Sequence, residues 1–298
     1  MDLVRDAARH GRDFWRALSH DDVSDSAAGL SYRFLLALFP FFIFTAALAG
    51  IVSRLLDVQN PSAEVLVRFG DALPSDARSL MAGELTNILE TQRPGLLSIG
   101  LVGALWAASG GVGATMRAMN RVYGVEETRP FWRRTLLAFA LTLVGGAFFI
   151  SAFVLAIAGQ AIARAVADSA GLGDFTRAIL FVVRLLLVIG LMLTAIAFLY
   201  WAAPNAHLPF QLITPGAVLF TGAWLLVTVL FGWYVSHFAS YNATYGALGG
   251  VVALMVWFYL TAYLMLAGAE LNAMLARRTA PEVLDATAPE ADAWRSVA

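Results

Sequence analysis

The sequence contains no cysteine and no lysine. The first absence excludes disulfides, cysteine-ligated metal sites and thiol catalysis. It is silent on redox compartment. The second leaves arginine to supply all 20 cationic side chains, which a biased genomic composition explains simply. Charge of either sign is scarce. Charged residues make up 14% of the chain and balance to a net charge of −1, so nothing draws it globally toward nucleic acid. The four histidines, His10, His20, His207 and His237, include no pair at metal-ligand spacing and no H-E-x-x-H. There is no G-x-S-x-G elbow and no Walker-type loop. Gly110-Gly111-Val112-Gly113 lacks the lysine and the strand that a phosphate loop needs. No catalytic residue, metal site or cofactor is expected.

Apolar residues, by contrast, make up 59% of the chain, well above the globular average. The most informative stretch is Tyr234 to Ala273. A polar hairpin, Ser236 to Tyr245, leads into an uncharged run from Ala247 to Ala269. At about 1.5 Å per residue that run crosses a hydrocarbon core about 30 Å thick. It ends on Glu270 and Asn272, with Arg277 and Arg278 just beyond. Asn242-Ala243-Thr244 matches a glycosylation acceptor, but in a tight hairpin it reads as turn chemistry.

Five further spans precede this one. They run from about Ala27 to Ile51, Gly95 to Met116, Thr135 to Ala163, Thr176 to Ala202 and Leu212 to Val235. Pro40 bends the first. Ser109, Gly110, Gly111 and Gly113 in the second allow close helix approach. On the last span, Gly246, Gly249 and Gly250 are expected to form another close-packing surface. The fold class is therefore all-α: a polytopic membrane protein with six transmembrane helices.

The first 26 residues do not have the order of a cleavable signal. Val4, Ala7, Ala8, Phe14, Trp15 and Leu18 are spaced for an amphipathic helix on the membrane surface. Residues 27–276 form the membrane domain. Within it, 52–93 is an extracytoplasmic segment of two short amphipathic helices, with Asn60-Pro61 and Pro74-Ser75-Asp76 as their starts. Residues 277–298 form a polar tail. With six spans the termini share a side. That side holds twelve arginines against six on the other, which places both termini in the cytoplasm.

A polar set gathers toward the cytoplasmic ends of the spans: Arg33, Arg117, Asn120, Arg121, Asn205, Glu270 and Asn272. Charges inside a span are costly unless paired or hydrated. Glu270 and Arg33 lie at similar depths, so Glu270 is expected to face the bundle interior and pair with Arg33, or failing that with Arg117 or Arg121.

Four stretches resemble the YihY/virulence factor BrkB family of bacterial inner-membrane proteins. They are AGLSYRFLLALFPFF, LWAASGGVGATMRAMNRVYGVEETRPFWRR, ITPGAVL and SYNATYGALGGVVALMVWFYLTAYLMLAGAELNA. They cover the chain from about Ala27 to Ala276. Arg33 departs from the family pattern, which often carries an uncharged, frequently aromatic residue there. The resemblance implies six transmembrane helices and a plasma-membrane location. The family's older link to a transfer-RNA-processing ribonuclease finds no support here, since no metal-ligand cluster or soluble basic domain is present. The expected function is transport of a lipid or small amphiphilic solute, with membrane lipids as partners and no nucleic acid. The alternative is a non-transporting envelope-assembly or scaffold protein.

Overall fold

A computed structural model of the chain describes residues 2–38, 94–169, 174–206, 208–238 and 242–279. These residues are helical with short connections, and among them there is no strand. The helices are α1 (Asp2–His20), α2 (23–38), α3 (Pro94–Tyr123), α4 (Phe131–Ser169), α5 (Asp174–Ala202), α6 (Pro215–Phe238) and α7 (Asn242–Thr279). Pro40, the segment 52–93 and the tail from 280 onward lie outside the described residues.

Among the described residues, three stretches are long and apolar enough to cross a membrane: Ala178–Ala202, Pro215–Val235 and Gly249–Thr279. Their outward faces carry large apolar side chains. Phe181, Leu186, Leu226, Val229, Leu230 and Trp233 are all exposed. Such a surface is unfavourable in water and suits lipid. The inward faces mix small residues with larger ones: Ala197, Ala217, Ala262, Ala269 and Ala273 are buried beside Tyr200, Phe220 and Leu266. Lipid supplies no hydrophobic force between helices, so close van der Waals approach must hold them together.

By contact the chain divides into two units, residues 1–33 with 112–298, and residues 34–111. In the larger unit α6 packs on α7, α4 on α5, α5 on α6 and α1 on α7. Between α6 and α7, the Trp224 ring lies 5.4 Å from Trp257, and Trp224 Nε1 donates to Thr261 Oγ1 at 3.1 Å. In the smaller unit, Gly111 faces the ring of Phe34: a Cβ there would stand 3.8 Å away, in ordinary contact. Gly110 has open space.

Among the described glycines, the tightest helix contact is between Gly216 and Gly268. A Cβ on either would overlap the carbonyl oxygen of the other. Among the described residues, a close approach of α7 thus lies at Gly268. Gly250 is exposed with nothing within 4 Å of a Cβ, Gly249 is only half-buried, and the surroundings of Gly246 lie outside the described residues.

Two helix boundaries differ from the expected ones for local reasons. α6 runs to Phe238 and Asn242 starts α7, so the ends of the hairpin expected over Ser236 to Tyr245 are helical; residues 239–241 lie outside the description. At the N-terminus, the chain turns at Asp21 and Asp22 before α2 begins. Asp22 has φ of 47°, a left-handed conformation that aspartate tolerates better than most residues. This turn lets α1 fold back onto α7, where Arg278 reaches Asp13 at 3.8 Å and Ser24 bonds the Tyr259 hydroxyl at 2.9 Å.

Phe131 and Trp132 are exposed at the start of α4, beside Arg133 and Arg134. The Arg133 guanidinium lies 5.0 Å from the Trp132 ring and that of Arg134 lies 5.7 Å from Phe131. Aromatic and arginine side chains together are characteristic of a membrane–water boundary.

Candidate functional site

The polar residues converge where α3, α5, α6 and α7 end, and helix termini explain much of the arrangement. α3 stops at Gly124, which has φ of 68°. The Gly124 N–H donates to Arg121 O at 3.0 Å and the Val125 N–H to Asn120 O at 2.9 Å. This is a Schellman closure, and it needs glycine at the left-handed position. One free carbonyl of the last turn, Val122 O, accepts from Arg277 Nη2 at 2.7 Å. A cation there also suits the negative end of the helix dipole.

The start of α6 is closed by two side chains. Thr214 precedes Pro215 and acts as the N-cap: its Oγ1 accepts from the Ala217 N–H at 3.1 Å. Pro215, in the first helical position, has no N–H to satisfy. The Gly216 N–H is taken by Asn272 Oδ1 at 2.8 Å, and Asn272 Nδ2 donates to Thr214 Oγ1 at 3.1 Å. Asn272 thus completes a cap on a neighbouring helix.

A third group fixes the loop between α3 and α4. Buried Asn120 donates through Nδ2 to Glu127 Oε2 at 3.0 Å and accepts through Oδ1 from the Asn205 N–H at 2.7 Å. Asn205 Nδ2 donates to Glu126 O and Thr128 Oγ1 at 2.7 and 2.8 Å. Arg129 pairs with Glu127 at 2.6 Å and donates to Ala203 O, just past the end of α5, at 3.1 Å. Burial pushes the Glu127 carboxyl up, but the Arg129 hydrogen bond and charge, with Asn120, outweigh it and hold the group below its ordinary value.

At the centre is Glu270, with no exposed surface at all. Its Oε1 accepts from Arg277 Nη1 at 3.3 Å. The two residues are two helical turns apart on one face of α7, and the long arginine side chain reaches back to the carboxylate. The expected partner was Arg33. Arg33 is instead exposed, and its charge acts on Arg117, which is itself exposed. Arg121 is exposed too and reaches Ser26 Oγ at 3.5 Å. Arginine is long and always charged, so these three keep their heads at the surface, while the shorter amides and Glu270 turn inward.

Tyr123 is nearly enclosed and lies within the electrostatic reach of Asn272 and Glu270. Burial raises its hydroxyl pKa far above the ordinary tyrosine value, so it stays a neutral donor. Tyr123 and Asn272 also line a cavity of about 170 Å³, together with Tyr200, Trp201, Gln211 and Thr214. A second space of about 220 Å³ runs between α4, α5 and α6, with walls that include Leu141, Phe148, Met192, Ile196, Leu199 and Phe220. Among the described residues no three metal-ligating side chains converge.

Of the residues singled out in the sequence, Asn120 and Asn205 meet directly, Glu270 bonds Arg277, Asn272 bonds Thr214 and the Gly216 N–H, and Arg33, Arg117 and Arg121 stay at the surface. Arg277, Tyr123, Glu127 and Arg129 were not anticipated. Spacing on one helix face could have flagged Arg277.

Apolar outer faces, small-residue contacts and a buried carboxylate within a spanning helix define an all-helical integral membrane protein. The chain belongs to the Virulence factor BrkB family, which it matches over residues 14–293. It is 37% identical to the ribonuclease-like protein YfkH of Bacillus subtilis over 89% of this chain and 94% of that protein. It is 28% identical to a UPF0761 membrane protein of Alkalilimnicola ehrlichii, over 86% of this chain and 56% of the relative. A UPF0761 membrane protein of Chromohalobacter salexigens is 29% identical, over 89% and 62%. The matched region is thus under two thirds of the length of these last two relatives. No solved structure matches the chain.

Proposed function

We propose that the protein moves a lipid or small amphiphilic solute across the bacterial plasma membrane, with both termini in the cytoplasm. The observation that carries this reading is a carboxyl, Glu270, wholly buried within a spanning helix, two residues from Asn272, which lines a cavity with tyrosine and threonine also in its walls. A buried ionisable group is costly in a membrane and is kept there chiefly for ions or substrates. The apolar space between α4, α5 and α6 suits an alkyl chain, and the polar cavity suits a headgroup or solute. A scaffold needs neither. The tight Gly216–Gly268 contact favours the scaffold as second reading, because it makes α6 and α7 one rigid pair. The name YfkH carries does not transfer a nuclease activity here; among the described residues no three metal-ligating side chains converge to support one.

The test is reconstitution of the full chain in liposomes with fluorescent phospholipids and a panel of small amphiphiles. Transport requires faster movement than in protein-free vesicles, reduced by Glu270→Gln. Equal rates with and without protein, across the panel, would leave the scaffold.

A further inference from the structure

Two contacts of the N-terminal segment set its depth along α7. Asp13 meets Arg278, in the last turn of α7, at 3.8 Å, and Ser24 meets the Tyr259 hydroxyl at 2.9 Å. These partners are 19 residues apart on α7, about 28 Å along its axis. Between Asp13 and Ser24 the chain therefore follows α7 inward instead of lying flat on the membrane surface. Buried Leu18, Val23, Ala27 and Leu30 hold it against the bundle. Tyr259 stands twelve residues after Ala247 and ten before Ala269, the two ends of the uncharged run. It is about 15 Å from the nearer end, close to the middle of the span. Side chains on a helix lean toward its N-terminus, so the Tyr259 hydroxyl is not displaced toward Arg277.

At this depth the outer side of the segment is polar. Asp22 and Asp25 flank Ser24, and both are exposed. Among the described residues neither carboxylate has a cation or a hydrogen-bond donor for a partner. Lipid is a poor cover for them, because an unpaired carboxylate is among the costliest groups to place in hydrocarbon. Aspartate is also too short to carry its charge to a boundary about 15 Å away. The surface at the same level of α6 is different. α6 and α7 pair antiparallel, Gly216 with Gly268 and Trp224 with Trp257, which puts Leu226 about level with Tyr259. Leu226 is exposed and apolar, as a lipid-facing position should be.

We propose that the end of α1 and the start of α2 form one wall of a water-filled cleft, which enters at the end of the bundle carrying Arg277 and Arg278 and reaches the middle of α7 at Tyr259. Water in the cleft solvates Asp22 and Asp25 in place of lipid. Arg16, Ser19 and His20 are exposed on the way in and extend the polar wall. The contacts at Asp13 and Ser24 hold the segment in place at both depths. The cleft goes beyond the transport reading and does not rest on it: it admits water and small hydrophilic solutes whether or not a cargo crosses.

Cysteine reactivity of the full chain in lipid nanodiscs, where both membrane faces are open, tests this against a background with no native cysteine. Asp25→Cys should be labelled to completion by a small charged thiosulfonate and should resist a polymer-linked maleimide too large for a cleft. Leu226→Cys, at the same level, should react with neither reagent, and Ser296→Cys, in the tail, should react with both. Ser24→Cys, a nearly isosteric change on the same segment, takes the place of Asp25→Cys if thermal melting shows that variant to be unfolded. Labelling of the Asp25 variant by the polymer as well puts the segment at the open surface and overturns the cleft. Labelling by neither reagent means that lipid or a second copy of the chain seals this face, and overturns it too. So does equal labelling of the Leu226 variant by the thiosulfonate, because that level is then not inside the membrane.

Discussion

Gly216 and Gly268 bring α6 and α7 together backbone to backbone: a Cβ on Gly268 would stand 2.6 Å from the Gly216 carbonyl oxygen and clash with the Tyr200 hydroxyl. That hydroxyl is held in place, since it donates to Met265 O at 2.7 Å. Neither neighbour can move aside without breaking a hydrogen bond or shifting a helix. Gly268→Ala is therefore expected to destabilise the protein by about 1–3 kcal/mol, the usual range for overpacking. Thermal melting in detergent measures it, with Gly250→Ala as the control. Equal melting temperatures for both variants would show that the helices do not meet here.

The cap on α6 gives a coupled pair. Thr214 and Asn272 bond each other and together satisfy the Gly216 and Ala217 N–H groups. Each change to alanine should cost about 0.5–2 kcal/mol, the range for a lost helix cap. Because the side chains share a bond, the double variant should cost less than the sum of the singles. Strict additivity in a double-mutant cycle would mean the two act separately.

Glu127 sets a pH dependence. Its folded pKa is depressed, so the stability it contributes is present in full above the ordinary glutamate range. That stability is lost as pH falls through the lower folded value. The effect should be on the order of 1 kcal/mol, given partial solvent screening. Comparing wild type with Glu127→Gln from neutral to acidic pH should show curves that converge as the medium becomes acidic. A gap that stays constant with pH would rule out an ionised Glu127 as its source.

How much of this was readable from the sequence depends on what each residue answers to. Helix positions follow from composition: a long uncharged run such as Ala247 to Ala269 has few alternatives. The inward turn of Glu270 was legible from its cost in lipid. Its partner was not, because depth along a helix does not fix rotation about it. Arg33 has a suitable depth but lies on an exposed face. Arg277 shares the face of Glu270, seven residues on. The glycine contact was missed for a similar reason. Gly246 and Gly250 have the spacing of a packing motif, whereas Gly216 and Gly268 lie on different helices and have no spacing to read. Asn272 was chosen as a site residue for its polarity, and its bonds go to a helix start that only the three-dimensional neighbourhood reveals.

The arginine distribution gives a topology test. With no native cysteine to interfere, a cysteine placed at Ser75 should react with an impermeant reagent in intact cells, and one at Ser296 should react only after the cells are opened. The reverse pattern would invert the orientation.

The last prediction separates Arg277 from Arg33. Removing the Arg277 guanidinium leaves the buried Glu270 Oε1 and the Val122 carbonyl each short of a donor. Leaving a buried polar group unsatisfied costs about 1–3 kcal/mol, and more when it is charged. Arg277 is itself 41% exposed, so part of its interaction is screened and water can reach the vacated space, which keeps the expected loss near the lower end. Arg277→Met, which retains much of the apolar stem, should lower the melting temperature clearly. Arg33→Met should change it little, since Arg33 is exposed and carries no bond to Glu270. Combining Arg277→Met with Glu270→Gln should recover part of the loss, because the buried charge is removed along with its partner. If Arg33→Met is the damaging change, or if the double variant is no better than Arg277→Met alone, the pairing of Glu270 with Arg277 is wrong.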